Sequence, residues 1–465
     1  MKTDKKEVLI LVHGTFASDD NDEGNSWWQR NSTFSNALLA RLGSQYTLIQ
    51  QTYHWSGENS ESERLYAGLK LLSLFEQFEK EQTNYHVIGH SHGGSVIWHA
   101  LQIKSHLAYL HKEKKVLPHL KSWCSVGTPF IRYERSSSYT STNAIQSNSL
   151  LLMVVVMVVA YFNPLTIWLV LIVVLFLVSL LFAYLTMLSI IEGGNLETEN
   201  QLQNLSANLF CSRWLGIWSS EDEIINGLQV SIALEDDGIE ILPRLKSNTD
   251  VYLTDRLLFI PKSLTKKVQA LYNKYIAPKV DLFVLQVINK GLHGSHRLGV
   301  RAEGIINCPI PDLCDLHPLS QEVSIELTAV ANEGIYDMAD EIRKLLSSRK
   351  QTMTSEYITS QAGDILIHSS YFKSKKVNEL IAIHILYSSN NSPTQIEQVA
   401  LDEWYLSQKA AVQKKLNDKS PLELYVELEN EVRAASPRLI PGSWAISDLK
   451  KVATRTESLY KFIQS

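Results

Sequence analysis

From Ser136 to Ile191 the chain carries no charged side chain, and the end of that stretch, Leu150–Ile191, is 42 almost wholly apolar residues. As one helix they would extend about 63 Å, roughly twice the ~30 Å hydrocarbon thickness of a bilayer. Asn163-Pro164 falls in the middle, where a tight turn belongs. The segment reads as a two-helix transmembrane hairpin, about Ala144–Phe162 and Leu165–Leu188. The alternative, a buried hairpin in a soluble core, would be expected to show a polar stripe, and none is present.

A hairpin returns the chain to the side it came from. Arg132 and Arg135 precede the first span, and the central turn carries no Lys or Arg. By the positive-inside rule both flanks are then cytoplasmic. The first apolar run, Val8–Val12, is shorter than the ~7–15 residues of a secretory signal. The expectation is a multi-pass protein of two spans, its polar parts in the cytoplasm, with residues 144–188 contacting the bilayer.

The rest of the chain is ordinary globular protein. Lys+Arg is 44 against Asp+Glu 49, a net charge of −5, which excludes a globally basic nucleic-acid binder. With 45% hydrophobic and 20% charged residues, general disorder is excluded. Cys124, Cys211, Cys308 and Cys314 are too few for a disulfide scaffold and suit a reducing compartment. Cys308, Cys314 and His317 have the wrong spacing for a zinc site, and neither a metal nor a cofactor is expected.

Before the hairpin, short apolar runs alternate with helical periodicity. Strands are expected at Glu7–Val12, Tyr46–His54, Tyr85–Gly89 and Ser122–Val126. Helices are expected at Thr33–Leu42, Ser60–Glu79 and His92–Leu110. This β-α-β-α-β-α-β order forces a doubly wound, mostly parallel sheet. After the hairpin come strand candidates at Leu215–Trp218, Val323–Leu327 and Asp364–His368, with helices at Leu264–Tyr275 and Val377–Leu386. Ala400–Ser465 reads as a charged helical extension, an accessory cap. The divisions are 1–140 for the first half of the core, 141–192 for the hairpin, 193–390 for the second half with an insertion at about 227–350, and 391–465 for the extension.

Gly89-His90-Ser91-His92-Gly93-Gly94 lies between a predicted strand and a predicted helix. G-x-S-x-G in that context is a nucleophile elbow: a turn so sharp that only small residues fit two positions either side, and one that lifts the serine hydroxyl clear of the sheet. Val12-His13-Gly14-Thr15-Phe16 ends an earlier strand. Such a loop offers a backbone N–H, from Thr15 or Phe16, to an oxyanion hole completed by the N–H of His92. Trp27-Trp28 follows and could line an acyl pocket or simply pack.

VHGTF at 12–16, GHSHGG at 89–94 and VGTPF at 126–130 together resemble the α/β-hydrolase family, in particular its lipase-like serine esterases and the GPI inositol-deacylases. The likeness is firm over residues 7–130 and looser after the hairpin. It implies a triad in the order serine, acid, histidine, with Ser91 the nucleophile. Asp222, after an apolar strand, fits the acid; Glu221 and Glu223 are its neighbours, and Asp236 or Asp237 is a weaker choice. His368, before the helix at Val377–Leu386, fits the base, with His293 or His296 as the alternative. His90 and His92 are expected to point away from the triad and shape the pocket. The implied activity is hydrolysis of a carboxylic ester of lipid type, with a membrane lipid or hydrophobic ester as substrate. An acyltransferase and a catalytically silent membrane adaptor are the competing readings. In this family the segment after the GTPF strand carries lids, and here the hairpin occupies that place.

Overall fold

The computed structural model describes residues 6–15, 17, 21–58, 60–135, 200–222, 224–225, 300–313, 316–331, 366–389, 399–435 and 444–464. The hairpin at 144–188, the helix expected at 264–275, and Phe16, Glu223, Asp236, Asp237, His293 and His296 lie outside them. Among the described residues no helix is long and apolar enough to cross a membrane.

Five parallel strands form the central sheet: β1 (Glu7–Val12), β2 (Tyr46–Leu48), β3 (Tyr85–His90), β4 (Leu120–Val126) and β6 (Trp214–Ile217), in the order β2-β1-β3-β4-β6. The apolar runs explain the burial on both faces. In β1, Leu9 and Leu11 enter one core cluster while Ile10 and Val12 enter the other. A strand covered on both sides has no polar face to alternate with. One face is covered by α2 (Glu61–Glu81) and α3 (His92–His111), the other by α1 (Thr33–Leu42) and α7 (Lys375–Ser388). Ser32 caps α1 by accepting from the Ser35 amide at 3.1 Å, and Ser374 caps α7 by accepting from Val377 at 3.2 Å. Helix α4 covers 200–210, just before β6.

β5 (Phe130–Arg135) leaves the sheet and pairs antiparallel with β7 (Val300–Ile306). The ribbon's outgoing strand therefore leads into the apolar segment. Further on, α5 covers 321–331 and α6 covers Ile367–Ser370.

Four expectations are corrected. Residues 323–327 are helical: Val323, Leu327 and Ala331 are buried at four-residue intervals, one face of a helix docked on the α7 side. The strand from Tyr46 stops at Leu48, because the Thr52 amide is taken by the Asp22 carboxylate at 2.7 Å, and a single bridge at Tyr53 returns to Val12. His368 stands in α6, not at a strand end. The C-terminal helices α8 (Val399–Lys415), α9 (Pro421–Ala435) and α10 (Trp444–Gln464) do not cap the carboxyl ends of the strands. α8 packs beside α7, while α9 and α10 hold the far end of α3. There the Tyr109 hydroxyl donates to Glu429 at 3.2 Å, His106 meets Thr456 at 3.1 Å, and the Tyr460 hydroxyl donates to Glu76 at 2.6 Å.

Candidate active site

The carboxyl ends of parallel strands form one rim, where ligands bind in open α/β sheets. β1 delivers His13-Gly14-Thr15 there, β3 delivers Ser91, β4 delivers Gly127-Thr128, and β6 leads to Asp222.

Ser91 follows the last residue of β3 and precedes the first of α3. Its backbone has φ 52 and ψ −135, a conformation a side chain enters only at a cost of about 1–3 kcal/mol. Neighbours hold it there: its amide donates to the Val126 carbonyl at 2.9 Å. The turn is as tight as the motif requires. A Cβ added at Gly93 would lie 2.2 Å from the Val12 carbonyl oxygen, so α3 begins in direct contact with the end of β1. A Cβ at Gly14 would lie 2.8 Å from Ser91 Cβ, which brings the His13-Gly14-Thr15 loop against the serine. That loop is braced by its own aromatics. The His13 ring stacks on Trp55 (5.6 Å, 13°), and the Trp55 indole N–H donates to the His13 carbonyl at 2.9 Å. His92, buried in the first turn of α3, places its amide at the positive end of that helix.

Asp222 and His368 are brought together across 146 residues of chain. The His368 Nδ1–H donates to the carboxylate at 2.9 and 3.0 Å. Asp222 is fully buried, and an isolated buried carboxylate would be neutralised. Here the other oxygen sites are filled. The Ile224 and Ile225 amides donate to Oδ1 at 3.1 Å each, and the Tyr371 hydroxyl donates to Oδ2 at 2.9 Å. Burial pushes the carboxyl pKa up, but His368, the Ile225 amide and Tyr371 outweigh it and hold it below the usual carboxylate range. Asp222 is thus an anion that fixes the imidazole with its proton on Nδ1, leaving Nε2 as the basic nitrogen.

Close to this pair, one residue differs from its expectation and another carries no signal in the sequence. His90 does not point away: its Nε2–H donates to the His368 carbonyl at 2.6 Å, and the two rings lie 4.8 Å apart. Burial, then the neighbouring His368, pushes the His90 pKa down to about 3, so it is a neutral donor at physiological pH. Tyr371 is the second. It lies one helical turn after His368, a spacing that reads as a shared face only once α6 is known to be helical. The segment also makes aromatic contacts: Phe372 stacks on Trp27 (3.8 Å, 3°) and meets Phe34 edge-on at 4.6 Å. Trp27 therefore packs against the strap that carries His368, and Trp28 lies 5.3 Å from the His13 ring.

Among the described residues no three His, Cys, Asp or Glu side chains gather as metal ligands. No protein-family model, no curated protein and no solved structure matches the chain. The α/β architecture and the geometry of the rim therefore carry the reading of the site.

Proposed function

We propose that the chain is a membrane-anchored serine hydrolase with the α/β-hydrolase fold, acting on carboxylic esters of lipid type. The observation that carries the reading is the buried Asp222–His368 hydrogen bond, made on the same rim as the strained Ser91. A neutral imidazole oriented by a buried anion is a general base, and a serine at a sharp strand-to-helix turn is its usual partner. His368 Nε2 takes the Ser91 proton as Oγ attacks the ester carbonyl. The tetrahedral oxyanion is received by the His92 amide and an amide of Thr15 or Phe16, a single donor of this kind being worth about 3 kcal/mol. Collapse expels the alcohol with the proton from His368, and water then hydrolyses the acyl-enzyme.

The lipid assignment rests on the apolar 144–188 segment. Along the chain that segment follows β5 and the GTPF turn, and an anchor inserted there would hold the mouth of the site at the bilayer surface, on the cytoplasmic side. A lipid could then enter with little aqueous transit.

The test is labelling by a fluorophosphonate probe in membranes from expressing cells, comparing wild type with Ser91→Ala, Asp222→Ala, His368→Ala and a His293→Ala/His296→Ala double variant. Labelling that is lost in the first three and kept in the last supports the triad. Loss in the double variant with retention in His368→Ala moves the base to residues 293–296. Folded wild type that does not label returns the chain to the silent-adaptor reading. An acyltransferase would label as well, and is separated by recovery of a new ester when an alcohol acceptor is added.

A further inference from the structure

We propose that Tyr371 is a positioning residue, through whose hydroxyl the 3-10 turn that directly follows α6 orients the Asp222 carboxylate for His368. The inference rests on the hydrolase reading and adds a residue to its machinery.

The Tyr371 hydroxyl stands between two fixed partners. The Ser219 amide donates to its oxygen at 2.9 Å, and its proton is given to Asp222 Oδ2 at 2.9 Å. The carboxylate accepts only, so this hydrogen bond has a single sense. Oδ1 is already held by the Ile224 and Ile225 amides, which belong to the acid's own loop. Oδ2 is held by Tyr371, in the 3-10 turn (Tyr371–Lys373) that follows α6, while His368 Nδ1 bridges the two oxygens, 3.0 Å from Oδ1 and 2.9 Å from Oδ2. Without the phenol, Oδ2 keeps only the imidazole that it shares with Oδ1, while Oδ1 keeps its two amides, and the carboxylate can rotate about χ2 toward those amides. The buried Ser219 amide would lose its acceptor as well. The ring packs against Gly127, so ring and hydroxyl do separable things: the ring fills space and the hydroxyl aims the acid.

Tyr371→Phe keeps the ring and removes only the hydroxyl. Loss of one hydrogen bond to a charged group corresponds to roughly a tenfold fall in kcat on a soluble ester, with KM within about twofold. The discriminating measurement is the double-variant cycle. In an Asp222→Ala background, where no carboxylate remains to aim, Tyr371→Phe should change the residual rate by less than about twofold.

A folded Tyr371→Phe enzyme with wild-type kcat overturns the proposal. So does an equal loss in both backgrounds, which would mark the hydroxyl as a general brace of the fold. If Tyr371→Phe does not fold, a fluorinated tyrosine at 371 keeps the shape and changes the hydroxyl's acidity. A kcat altered at constant KM then supports the proposal, and an unaltered kcat overturns it. Wild type and Ser91→Ala are labelled with the fluorophosphonate first. If labelling does not depend on Ser91, the hydrolase reading fails and takes this inference with it. If it does, a negative result at Tyr371 counts against the inference alone.

Discussion

Gly127→Ala should damage both stability and turnover, and its size follows from what surrounds the residue. Gly127 has φ +54, where a side chain costs about 1–2 kcal/mol. A new Cβ would also lie 2.6 Å from Tyr371 Cε2 and 3.2 Å from Asp222 Oδ2. Relief to an ordinary carbon–carbon contact of roughly 3.5 Å needs a shift of about 0.9 Å. Neither side can give it freely. Gly127 is tied by its amide to the Ile217 carbonyl at 2.8 Å, and Tyr371 is fully buried with both sides of its hydroxyl engaged. Overpacking of this kind costs about 1–3 kcal/mol, so the expected loss is about 2–5 kcal/mol in all. Because Tyr371 and His368 share one short helical segment, the shift is carried to the imidazole, and kcat should fall by at least about tenfold, as sub-ångström misplacement of a base allows. Gly43→Ala is the control. Its φ is +91 but nothing lies within 4 Å of its Cβ. It should lose only the conformational part, about 1–3 kcal/mol, with kcat unchanged. The assays are denaturant unfolding of detergent-solubilised protein and ester turnover. Equal effects of the two substitutions, or wild-type turnover in Gly127→Ala, would refute the reasoning.

At the opposite pole of the sheet, buried His86 donates from Nε2 to Glu7 at 2.8 Å and accepts from the Ser122 hydroxyl at 2.7 Å, while Ser389 donates to Glu7 at 2.6 Å. Burial raises the Glu7 pKa, but the His86 and Ser389 hydrogen bonds outweigh it and bring it to about 2 from an ordinary 4.5. A depressed carboxyl stabilises the fold above its unfolded value and stops doing so as pH falls toward the folded one. Glu7→Gln should therefore destabilise the fold at pH 7, by about 1–2 kcal/mol once solvent screening of the partly exposed carboxylate is allowed for. That difference should shrink as pH is lowered from 4.5 toward 2, and an offset constant across that range in denaturant melts would contradict the assignment. Replacing 144–188 by a short Gly/Ser linker should release the protein from membranes. It should also cut activity on bilayer substrates more than on soluble esters, and equal losses on both would argue against a site held at the bilayer.

Strong local signals made much of the rim legible in the sequence. Continuous apolar runs at Glu7–Val12 and Tyr85–Gly89 specify strands buried on both faces, and the glycines around Ser91 specify a turn that no larger residues could make. Asp222 and His368 were legible as candidates because each follows or precedes an element of the expected type. Their hydrogen bond was not, since 146 residues separate them and other acids and histidines had comparable flanks. His90 was misjudged because a motif states which residues fit a turn, not which backbone comes to rest on it. The helix at 321–331 was misread because Val323–Leu327 is too short an apolar run for periodicity to separate strand from helix; the four-residue spacing of its buried side chains shows only against the face they meet.

The sequence by itself determined the alternation of strand and helix, the elbow at Ser91, the loop at His13-Gly14 and the apolar segment at 144–188, because each depends on residues within a few positions of one another. Tertiary structure alone decided which carboxylate meets which imidazole, and that Tyr371 and His90 hold them. It also put the C-terminal helices on α3 at the far pole. Those outcomes depend on how distant surfaces pack, and a buried charge is kept ionised only by the partners that packing brings to it.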